Sequence, residues 1–555
     1  MNIAMLLRIV TAVAVLALCR CDEGEWKEVR ISQGVLRGRK DPEGPYAFYN
    51  IPYATAPTGP DRYKAPLPPP TWSQPRDAVD EQVACFQGKT PYATVDTMKE
   101  DCLIANVFVP KTKEKNLPVM VYVHGGAFEM GSGNMWTPKY LVREKNVIVV
   151  TFNYRLGVQG FLCLGTEDAP GNAGLKDQVA LLKWVQKNIA SFGGDPDNVT
   201  ILGFSAGSIS VNLLMLSKSA EGLFTKVVSD SGVSVSSFAT QIEPLEKAKN
   251  YARMLNFHDV DDFYALKAFY KNTPLKSLVT GTFFDIKNVS LIFYPCVERQ
   301  TDKEAFLTEA PINIIRNGNY KKVPVLVGVD NMEGLVQMSN FERWKSDMNE
   351  NFSDFLSVDL QFGSEKEKKE IAQKVKEFYF KGKPVSDETV LDYVEYFGDV
   401  MFAYPTLRTV RLQVENGHDQ IYLYEYNFAD EQTPVVPHTN VRGADHCAQS
   451  MAIFDGVQFV TSDESNLTPE YKRMKATMRD MWYNFAVYGK PAPEGSPLPA
   501  WPATDASGSP YMSLGREIEL RNSFYKRSAS LWDGLYQKYY REPRPPQPPK
   551  DRTDL

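Results

Sequence analysis

The sequence predicts an α/β protein with a large, mostly parallel central sheet that is flanked by helices. Two observations predict this class: β-rich runs alternate with helical patterns in the N-terminal half, and the β-rich runs are continuously apolar. Strands that lack polar alternation are typical of sheets buried on both faces. A strand, a helix and a strand in this order indicate a parallel sheet with helical crossovers.

Each element follows from its local pattern. The predicted central strands are the apolar runs 119–123, 147–152, 199–204 and 325–329, with a weaker run at 227–228. Between the second and third runs, residues 175–189 place apolar side chains at helical spacing. Further helical patterns lie at 208–216, 243–255 and 365–378. Residues 340–420 carry less β signal, which predicts helical insertions over the sheet.

The composition describes a folded globular chain. Of its 555 residues, 43% are hydrophobic and 23% are charged. Neither a linker nor an internal repeat divides residues 22–540, so we expect one large domain there, followed by a proline-rich polar tail at 541–555. The net charge of −6 lacks the clustered basic residues that nucleic-acid binding requires, so no nucleic-acid partner is expected.

The first 21 residues predict a signal peptide. Arg8 ends a short charged region, an uncharged apolar stretch runs from Ile9 to Cys19, and small residues suit cleavage near Cys21. The apolar stretch is too short for a comfortable membrane span, which needs about 20 residues. The alternative is a single N-terminal anchor. The pattern favours a secreted, extracellular protein without stable membrane insertion.

Cysteine usage fits an oxidising compartment. Cys85 and Cys102 lie in a stretch rich in turn residues, where a bridge would add roughly 3 kcal/mol by the loop-entropy estimate. Cys163, Cys296 and Cys447 are far apart in sequence, and we expect buried thiols at all three.

Four triplets match the acceptor pattern for N-glycosylation. Asn288, Asn351 and Asn466 are open candidates. Asn198 adjoins a predicted core strand, so we expect it to remain unmodified.

The strongest local signal is the pentapeptide Gly203-Phe204-Ser205-Ala206-Gly207. It matches the Gly-x-Ser-x-Gly nucleophile elbow, and it has the preceding β-run and the following helical segment that this motif requires. The sharp turn needs small flanking residues and holds the serine hydroxyl clear of the sheet at a helix N-terminus. The alternative, an ordinary glycine turn, does not require this context. The pattern predicts the α/β-hydrolase fold with Ser205 as nucleophile.

A serine nucleophile needs a base that takes its proton. His446 lies on a loop late in the chain, where the order serine, acid, histidine of this fold places the base. Polar surroundings predict that three other histidines are exposed bystanders: His258, His418 and His438.

The expected acid follows the predicted strand 325–329. Glu333 is the first candidate and Asp330 the second, because a carboxylate on the loop after a strand can orient an imidazole and stabilise its protonated form.

A glycine-rich loop supplies the fourth element. His124-Gly125-Gly126-Ala127-Phe128 follows the first apolar run and matches the His-Gly-Gly type oxyanion loop of lipases and esterases. Small residues let backbone N–H groups point at a developing oxyanion, and losing one such donor costs about 2.7–4 kcal/mol.

With these motifs in place, the chain resembles the type-B carboxylesterase (cholinesterase-like) family over nearly its whole mature length, and it is most similar to insect secreted members. The matching blocks are Tyr49 to Ala54, Glu100 to Asn106, Asn153 to Gly157, Gly171 to Gln178 and Phe192 to Pro196. The resemblance implies a Ser205, Glu333, His446 triad and a Cys85–Cys102 disulfide. It also implies oxyanion donors at the backbone N–H groups of Gly126, Ala127 and Ala206, with no metal and no cofactor.

Two positions depart from the family pattern. The family usually has Glu before the nucleophile and an acid three residues after the histidine, whereas this chain has Phe204 and Gln449. The triad is complete, so we expect an active serine hydrolase that forms an acyl-enzyme and acts on neutral, fairly apolar small-molecule esters.

Three alternatives remain open. Inactive adhesion or binding members of the family typically lack a triad residue. Cholinesterases carry a Trp in the disulfide loop, and the loop 86–101 has none. Juvenile hormone esterases normally have Gln at position 204 and an acid at position 449.

Overall fold

The computed structural model describes residues 25–41, 44–79, 82–88, 93, 96–279, 287–300, 304–455 and 464–549. The predicted signal peptide, residues 1–21, lies outside the described residues. Within the described ranges, no helix has both the length and the apolar character that crossing a membrane requires.

The strands are numbered in chain order. They are β1 (Trp26–Ile31), β2 (Gly34–Lys40), β3 (Tyr46–Pro52), β4 (Arg76–Asp77), β5 (Ala84–Cys85), β6 (Met98–Lys99), β7 (Ile104–Val109), β8 (Leu117–Val123), β9 (Ile148–Phe152), β10 (Gly194–Phe204), β11 (Lys226–Asp230), β12 (Val325–Asp330), β13 (Ile421–Tyr426), β14 (Tyr511–Leu514) and β15 (Ile518–Arg521).

One 13-stranded sheet forms the centre of the fold. Its order is β1-β2-β3-β7-β9-β8-β10-β11-β12-β13-β14-β15, and β4 pairs with β2. The run from β9 through β8 and on to β14 is parallel throughout. The strands at both margins pair antiparallel, except that the short β4 pairs parallel with β2. This confirms the predicted α/β-hydrolase architecture with a mostly parallel sheet.

The α-helices cover the sheet and fill its insertions. They are α1 (Lys139–Glu144), α2 (Gly157–Phe161), α3 (Ala173–Asn188), α4 (Ala206–Leu216), α5 (Pro244–Met254), α6 (Phe263–Asn272), α7 (Pro311–Asn317), α8 (Phe341–Glu350), α9 (Glu365–Phe380), α10 (Val390–Gly398), α11 (Tyr404–Glu415), α12 (Ala448–Ile453), α13 (Pro469–Tyr488) and α14 (Lys526–Tyr539).

The sheet separates two hydrophobic cores. Side chains alternate across a strand, and β10 shows the consequence: Ile201 packs into one core, whereas Leu202 and Phe204 pack into the other. Both faces are therefore covered, which explains why the central strands are continuously apolar.

Residues 341–415 are helical, as predicted. They contain α8, α9, α10 and α11, and a π-helical turn at Asp399–Ala403 joins the last two. These helices lie between β12 and β13 in the chain, and Met401 and Phe402 from the π-helical turn reach the cavity described below.

Two disulfides close loops in the structure. Cys85 and Cys102 are bonded, as the family resemblance implies. Cys163 and Cys296 also form a disulfide across 133 residues, so the prediction of thiols at these two positions is wrong. The chain approaches closely there, because a Cβ on Gly171 would lie 2.5 Å from Cys296 Sγ. Cys447 is a free, partly buried thiol.

Residues 541–549 of the predicted tail lie along the body of the protein. The Arg541 N–H donates to the Asp359 carbonyl at 2.8 Å, and Pro543 and Pro546 are buried. The Arg541 guanidinium also pairs with Glu243 at 2.6 Å.

Candidate active site

Ser205 stands on a strained turn between β10 and α4. Its backbone adopts φ 54° and ψ −124°, a conformation that residues other than glycine rarely adopt. The Ser205 N–H donates to the Asp230 carbonyl at 2.9 Å, which fixes the turn to the neighbouring strand. Its hydroxyl makes no hydrogen bond to another residue in the described part of the chain, and it faces a cavity.

The two flanking glycines are required by close packing. A Cβ on Gly207 would lie 2.1 Å from the Val123 carbonyl oxygen at the end of β8. A Cβ on Gly203 would lie 2.4 Å from the Gly207 carbonyl carbon. The two glycines of the motif are therefore required because backbone segments approach too closely there for a side chain.

His446 and Glu333 form a buried pair beside Ser205. His446 Nδ1 lies 2.6 Å from Glu333 Oε2, and the two side chains are 11% and 1% exposed. The second Glu333 oxygen accepts the Asp330 N–H at 2.9 Å, so the carboxyl is held at both ends. With Nδ1 donating to Glu333, Nε2 remains available as a proton acceptor. His446 and Ser205 line the same cavity.

Aromatic rings enclose the imidazole. The Phe402 ring centroid lies 4.6 Å from that of His446, and the Phe204 centroid lies 6.2 Å away. Phe204 in turn packs edge-on against Trp136. The position where the family usually has Glu therefore supplies apolar volume next to the histidine.

The glycine-rich loop presents free backbone donors. Gly126 and Ala127 both have positive φ, 105° and 56°. Within the described residues, no acceptor takes the N–H groups of Gly126, Ala127 or Ala206, and all three residues line the cavity with Ser205. Unpaired N–H groups that converge on one cavity can bind an oxyanion.

His124 orients this loop. It is buried, and its Nδ1 donates to the Gly125 carbonyl at 2.8 Å. Because the N–H of a trans peptide points opposite to its C=O, this bond directs the Gly126 N–H away from His124. Burial lowers the pKa of His124 to about 4, so the ring is neutral and keeps a single Nδ1 donor.

Asp330 joins the acid and the histidine loops. Its carboxyl accepts the N–H groups of Cys447 at 3.1 Å and Gln449 at 3.3 Å, while its own N–H donates to Glu333. Burial, followed by the nearby Glu333 carboxyl, raises the pKa of Asp330 well above its usual range. Through these hydrogen bonds Asp330 positions both partners. The sequence placed it only as the second candidate acid.

The Gln449 amide lies between two buried groups. One end contacts the Asp330 carboxyl and the other lies 2.5 Å from Ser231 Oγ. A second carboxyl, that of Asp230, accepts a hydrogen bond from the Tyr424 hydroxyl, and burial raises its pKa to about 8. Burial thus favours the neutral forms of both acids behind His446 and Glu333.

The cavity at Ser205 has a volume of about 160 Å³ and a mainly apolar lining. The lining includes Phe238, Val289, Leu291, Met401 and Phe402, and the Phe238 and Phe402 rings pack edge-on with their centroids 5.7 Å apart. Such a cavity accepts an apolar substituent next to the reacting atoms.

Two titratable side chains hydrogen-bond to the backbone of the segment that contributes Leu291 to the cavity lining. Glu129 accepts the Phe293 N–H at 3.0 Å, and Lys247 donates to the Leu291 carbonyl at 2.6 Å. Burial raises the pKa of Glu129 to about 8 and lowers the pKa of Lys247 to about 8. Sequence reasoning missed this pair, because its partners are distant in the chain.

The remaining histidines do not approach the site. His258 and His438 are exposed, as predicted. His418 is buried, so the prediction of exposure is wrong there: its Nε2 donates to the Val323 carbonyl at 2.7 Å and its ring packs against Tyr320. Burial accordingly lowers the pKa of His418.

One exposed group within the described residues has the spacing of metal ligands: Glu342, Asp387 and His438. The Lys345 ammonium already lies 2.7 Å from Glu342 and 2.9 Å from Asp387. The arrangement is an ion-pair network at the surface.

The candidate glycosylation sites differ in exposure. Asn466 is exposed, whereas Asn288 and Asn351 are half-buried and accept or donate hydrogen bonds to neighbouring side chains. Asn198 lies in β10 and accepts a hydrogen bond from Lys226. Their modification stays a prediction.

Known proteins share this architecture. A model of the carboxylesterase family matches residues 25–532. A juvenile hormone esterase from Tribolium castaneum is 34% identical over 476 residues, which cover 80% of each chain. A para-nitrobenzyl esterase from Bacillus subtilis is 31% identical over 506 residues, which cover 89% of this chain and 96% of that relative.

A solved structure agrees with these matches. The crystal structure of juvenile hormone esterase from Manduca sexta superimposes with a TM-score of 0.82 at 30% identity. The match covers 92% of this chain and 100% of that one. The chain belongs to the carboxylesterase family and is a carboxylic ester hydrolase.

Proposed function

We propose that this protein is a secreted esterase that hydrolyses neutral, fairly apolar esters through Ser205, His446 and Glu333. The observation that carries the proposal is the convergence on one apolar cavity of the Ser205 hydroxyl, the His446–Glu333 pair and three unpaired backbone N–H groups.

The reaction follows from this arrangement. Ser205 Oγ attacks the ester carbonyl while its proton passes to His446 Nε2, and Glu333 stabilises the imidazolium. The N–H groups of Gly126, Ala127 and Ala206 bind the oxyanion. His446 then protonates the departing alcohol, and water hydrolyses the acyl-enzyme by the same sequence of steps.

Secretion is supported by the two disulfides, which form and persist in oxidising compartments. The apolar stretch at the N-terminus has the features of a signal peptide. Expression of the full chain in insect cells, followed by N-terminal sequencing of protein from the medium, tests both points. Retention of the protein in the cell would contradict secretion.

Substitution of the nucleophile tests the catalytic assignment. Ser205→Ala lowers kcat for p-nitrophenyl butyrate by a factor on the order of 10⁶, as for other triads. A fluorophosphonate probe labels Ser205 in the wild type and nothing in the variant. Ser219→Ala, which alters a serine outside the cavity, is the matched control. Substantial activity of Ser205→Ala would refute the assignment.

A juvenile hormone ester is the second candidate substrate. Similarity to the Tribolium and Manduca juvenile hormone esterases favours it. Phe204 and Gln449 argue against it, because that branch normally has Gln and an acid at these positions. Competition between juvenile hormone and p-nitrophenyl butyrate decides: a KM for the hormone in the micromolar range or below supports the hormone.

An adhesion or binding role without catalysis is the remaining alternative. It predicts no labelling of Ser205 by the probe and no turnover of any neutral ester, so the same experiments separate it from the proposed function.

A further inference from the structure

Gln337 is a polar side chain in the mainly apolar lining of the cavity at Ser205. Gln337 lies four residues after Glu333, is 5% exposed, and lines the cavity together with Val336 and Met401. Its backbone carbonyl accepts the Tyr393 hydroxyl at 2.9 Å, which fixes the segment that carries it.

A chain of hydrogen bonds sets the orientation of the Gln337 amide. The Arg343 guanidinium can only donate, and it lies 2.8 Å from Asn340 Oδ1. Asn340 must therefore turn its Nδ2 toward Gln337, whose Oε1 accepts this group at 2.9 Å. With its oxygen held by Asn340, Gln337 directs its NH₂ group the other way.

The Gln337 NH₂ group lacks a strong acceptor. Its hydrogen-bond partner among the described residues is the Met401 thioether, with Nε2 3.7 Å from Sδ. A thioether is a weak acceptor and an amide nitrogen carries two hydrogens, so at least one N–H is left for another group. Leaving a buried N–H without an acceptor costs free energy, so a ligand oxygen that accepts this hydrogen bond is bound more tightly.

The Ser290 side chain, which also lines the cavity, differs from Gln337 in its hydrogen bonding. The Ser290 hydroxyl donates to Asn288 Oδ1 at 2.8 Å, so its hydrogen is already used. Phe238, Leu291 and Phe402 offer no donor at all. Gln337 therefore differs from the other described lining side chains, apart from Ser205 and His446: it carries amide hydrogens, and their partner is only a weak acceptor.

We propose that Gln337 is a specificity residue that donates a hydrogen bond to an oxygen atom in the apolar part of the substrate. This rests on the proposed esterase function and narrows its substrate class: the enzyme favours esters that carry an ether or carbonyl oxygen at a distance from the reacting ester over their all-carbon counterparts. An isostere without that oxygen leaves the buried donor unpaired, which is a strong source of discrimination.

Matched substrates measure this preference. Pairs of neutral esters differ in one atom, a CH₂ or an ether oxygen, placed at successive positions in the acyl chain or in the alcohol chain. The readout is the kcat/KM ratio of the ether ester to its methylene partner. For the pair whose oxygen reaches Gln337, the wild-type ratio exceeds that of Gln337→Met by about tenfold, the value of one net hydrogen bond.

Two further variants distinguish a hydrogen bond from Gln337 to the substrate from a purely structural role of Gln337 in holding Asn340. Gln337→Glu keeps the shape and an acceptor for Asn340 but, when ionised, offers no donor, so it also loses the preference. Ser290→Ala removes the hydroxyl of a second polar lining residue, and the kcat/KM ratio of each ester pair should stay within about twofold of the wild-type ratio. The thermal melting temperature of each variant confirms that it is folded.

The inference is overturned if the wild type and both Gln337 variants show the same ratio for every pair. Gln337 would then serve only to hold Asn340. This outcome differs from failure of the proposed function, in which the wild type would hydrolyse none of the esters or would do so without Ser205.

Discussion

Replacing Gln449 by Glu places a second carboxyl against Asp330 in the fully buried site behind the triad. One end of the Gln449 amide lies 2.9 Å from Asp330 Oδ1. The pair consists of one acid and one amide, and burial favours the neutral form of that acid. Gln449→Glu keeps the volume and the shape and changes the number of acids.

The cost can be worked from this geometry. If both carboxyls were ionised, two unit charges 2.9 Å apart would repel by about 6 kcal/mol at an effective dielectric constant of 20. Protonating the new carboxyl is cheaper: from an ordinary Glu pKa of about 4.3, it costs roughly 1.4 kcal/mol per pH unit, or about 3–4 kcal/mol at pH 7. The folded variant therefore takes up a proton.

The pH dependence follows from that proton. A carboxyl whose pKa is raised by folding holds a proton that the unfolded chain has released, so its stabilising contribution is full below pH 4 and is lost as the pH rises. Relative to wild type, Gln449→Glu should be destabilised by about 3–4 kcal/mol at pH 7 and by about 1 kcal/mol at pH 5. Burial and the nearby Glu333 carboxyl also raise the pKa of Asp330, so the new carboxyl enters a site that already disfavours charge.

Chemical unfolding, followed by tryptophan fluorescence at pH 5, 6 and 7, measures these differences. The decisive protein is the double variant Asp330→Asn with Gln449→Glu, which exchanges the acid and the amide between the two positions. It should regain most of the stability lost by Gln449→Glu alone. Gln449→Met, which introduces no acid, should show a loss that is independent of pH. A pH-independent loss in Gln449→Glu, or additive losses in the double variant, would refute the reasoning.

Two other predictions follow from the contacts. Glu333→Gln should lower kcat by 10³- to 10⁴-fold without unfolding the protein, whereas Asp330→Asn should cost less than tenfold, because only Glu333 touches His446; steady-state kinetics would reveal a reversed order. Cys163→Ser with Cys296→Ser should reduce the free energy of unfolding by about 5 kcal/mol, from the 133-residue loop that the disulfide closes, as denaturation under non-reducing conditions can check.

The central sheet was predictable because its strands carry a purely local signal. Apolar runs such as Val325–Asp330 are buried on both faces, and β10 leads directly into the elbow at Ser205. The antiparallel margins were not predicted. Strands β1 and β15 are short or partly exposed, with mixed polar side chains, so their pairing depends on partners that the local sequence does not reveal.

The candidate site residues that carry a motif were predicted from the sequence, whereas the candidates defined by long-range contacts were not. Ser205 and Gly126 sit in patterns that backbone crowding imposes. Phe402 reaches His446 from a helical insertion, and Gln337 depends on Asn340 and Arg343 for its orientation. No local pattern distinguishes these side chains from ordinary core residues.

The Cys163–Cys296 disulfide illustrates the same limit in another form. Each cysteine lies in an apolar stretch, and 133 residues separate them. Burial of a thiol and participation in a bridge give the same local sequence signal. Only the fold brings the two loops together, at a place where Gly171 leaves room for the sulfur atoms.

The electrostatics of the site support a neutral substrate. Burial raises the pKa of Asp230 to about 8 and the pKa of Asp330 well above its usual range, and Phe204 brings a ring rather than an acid beside His446. In the proposed mechanism, Glu333, which accepts hydrogen bonds from His446 and from the Asp330 N–H, supplies the negative charge that balances the imidazolium. No surplus anionic group remains among the described lining residues to attract a cation. We therefore expect the choice of substrate to depend on shape and on the few hydrogen-bond donors in an apolar cavity.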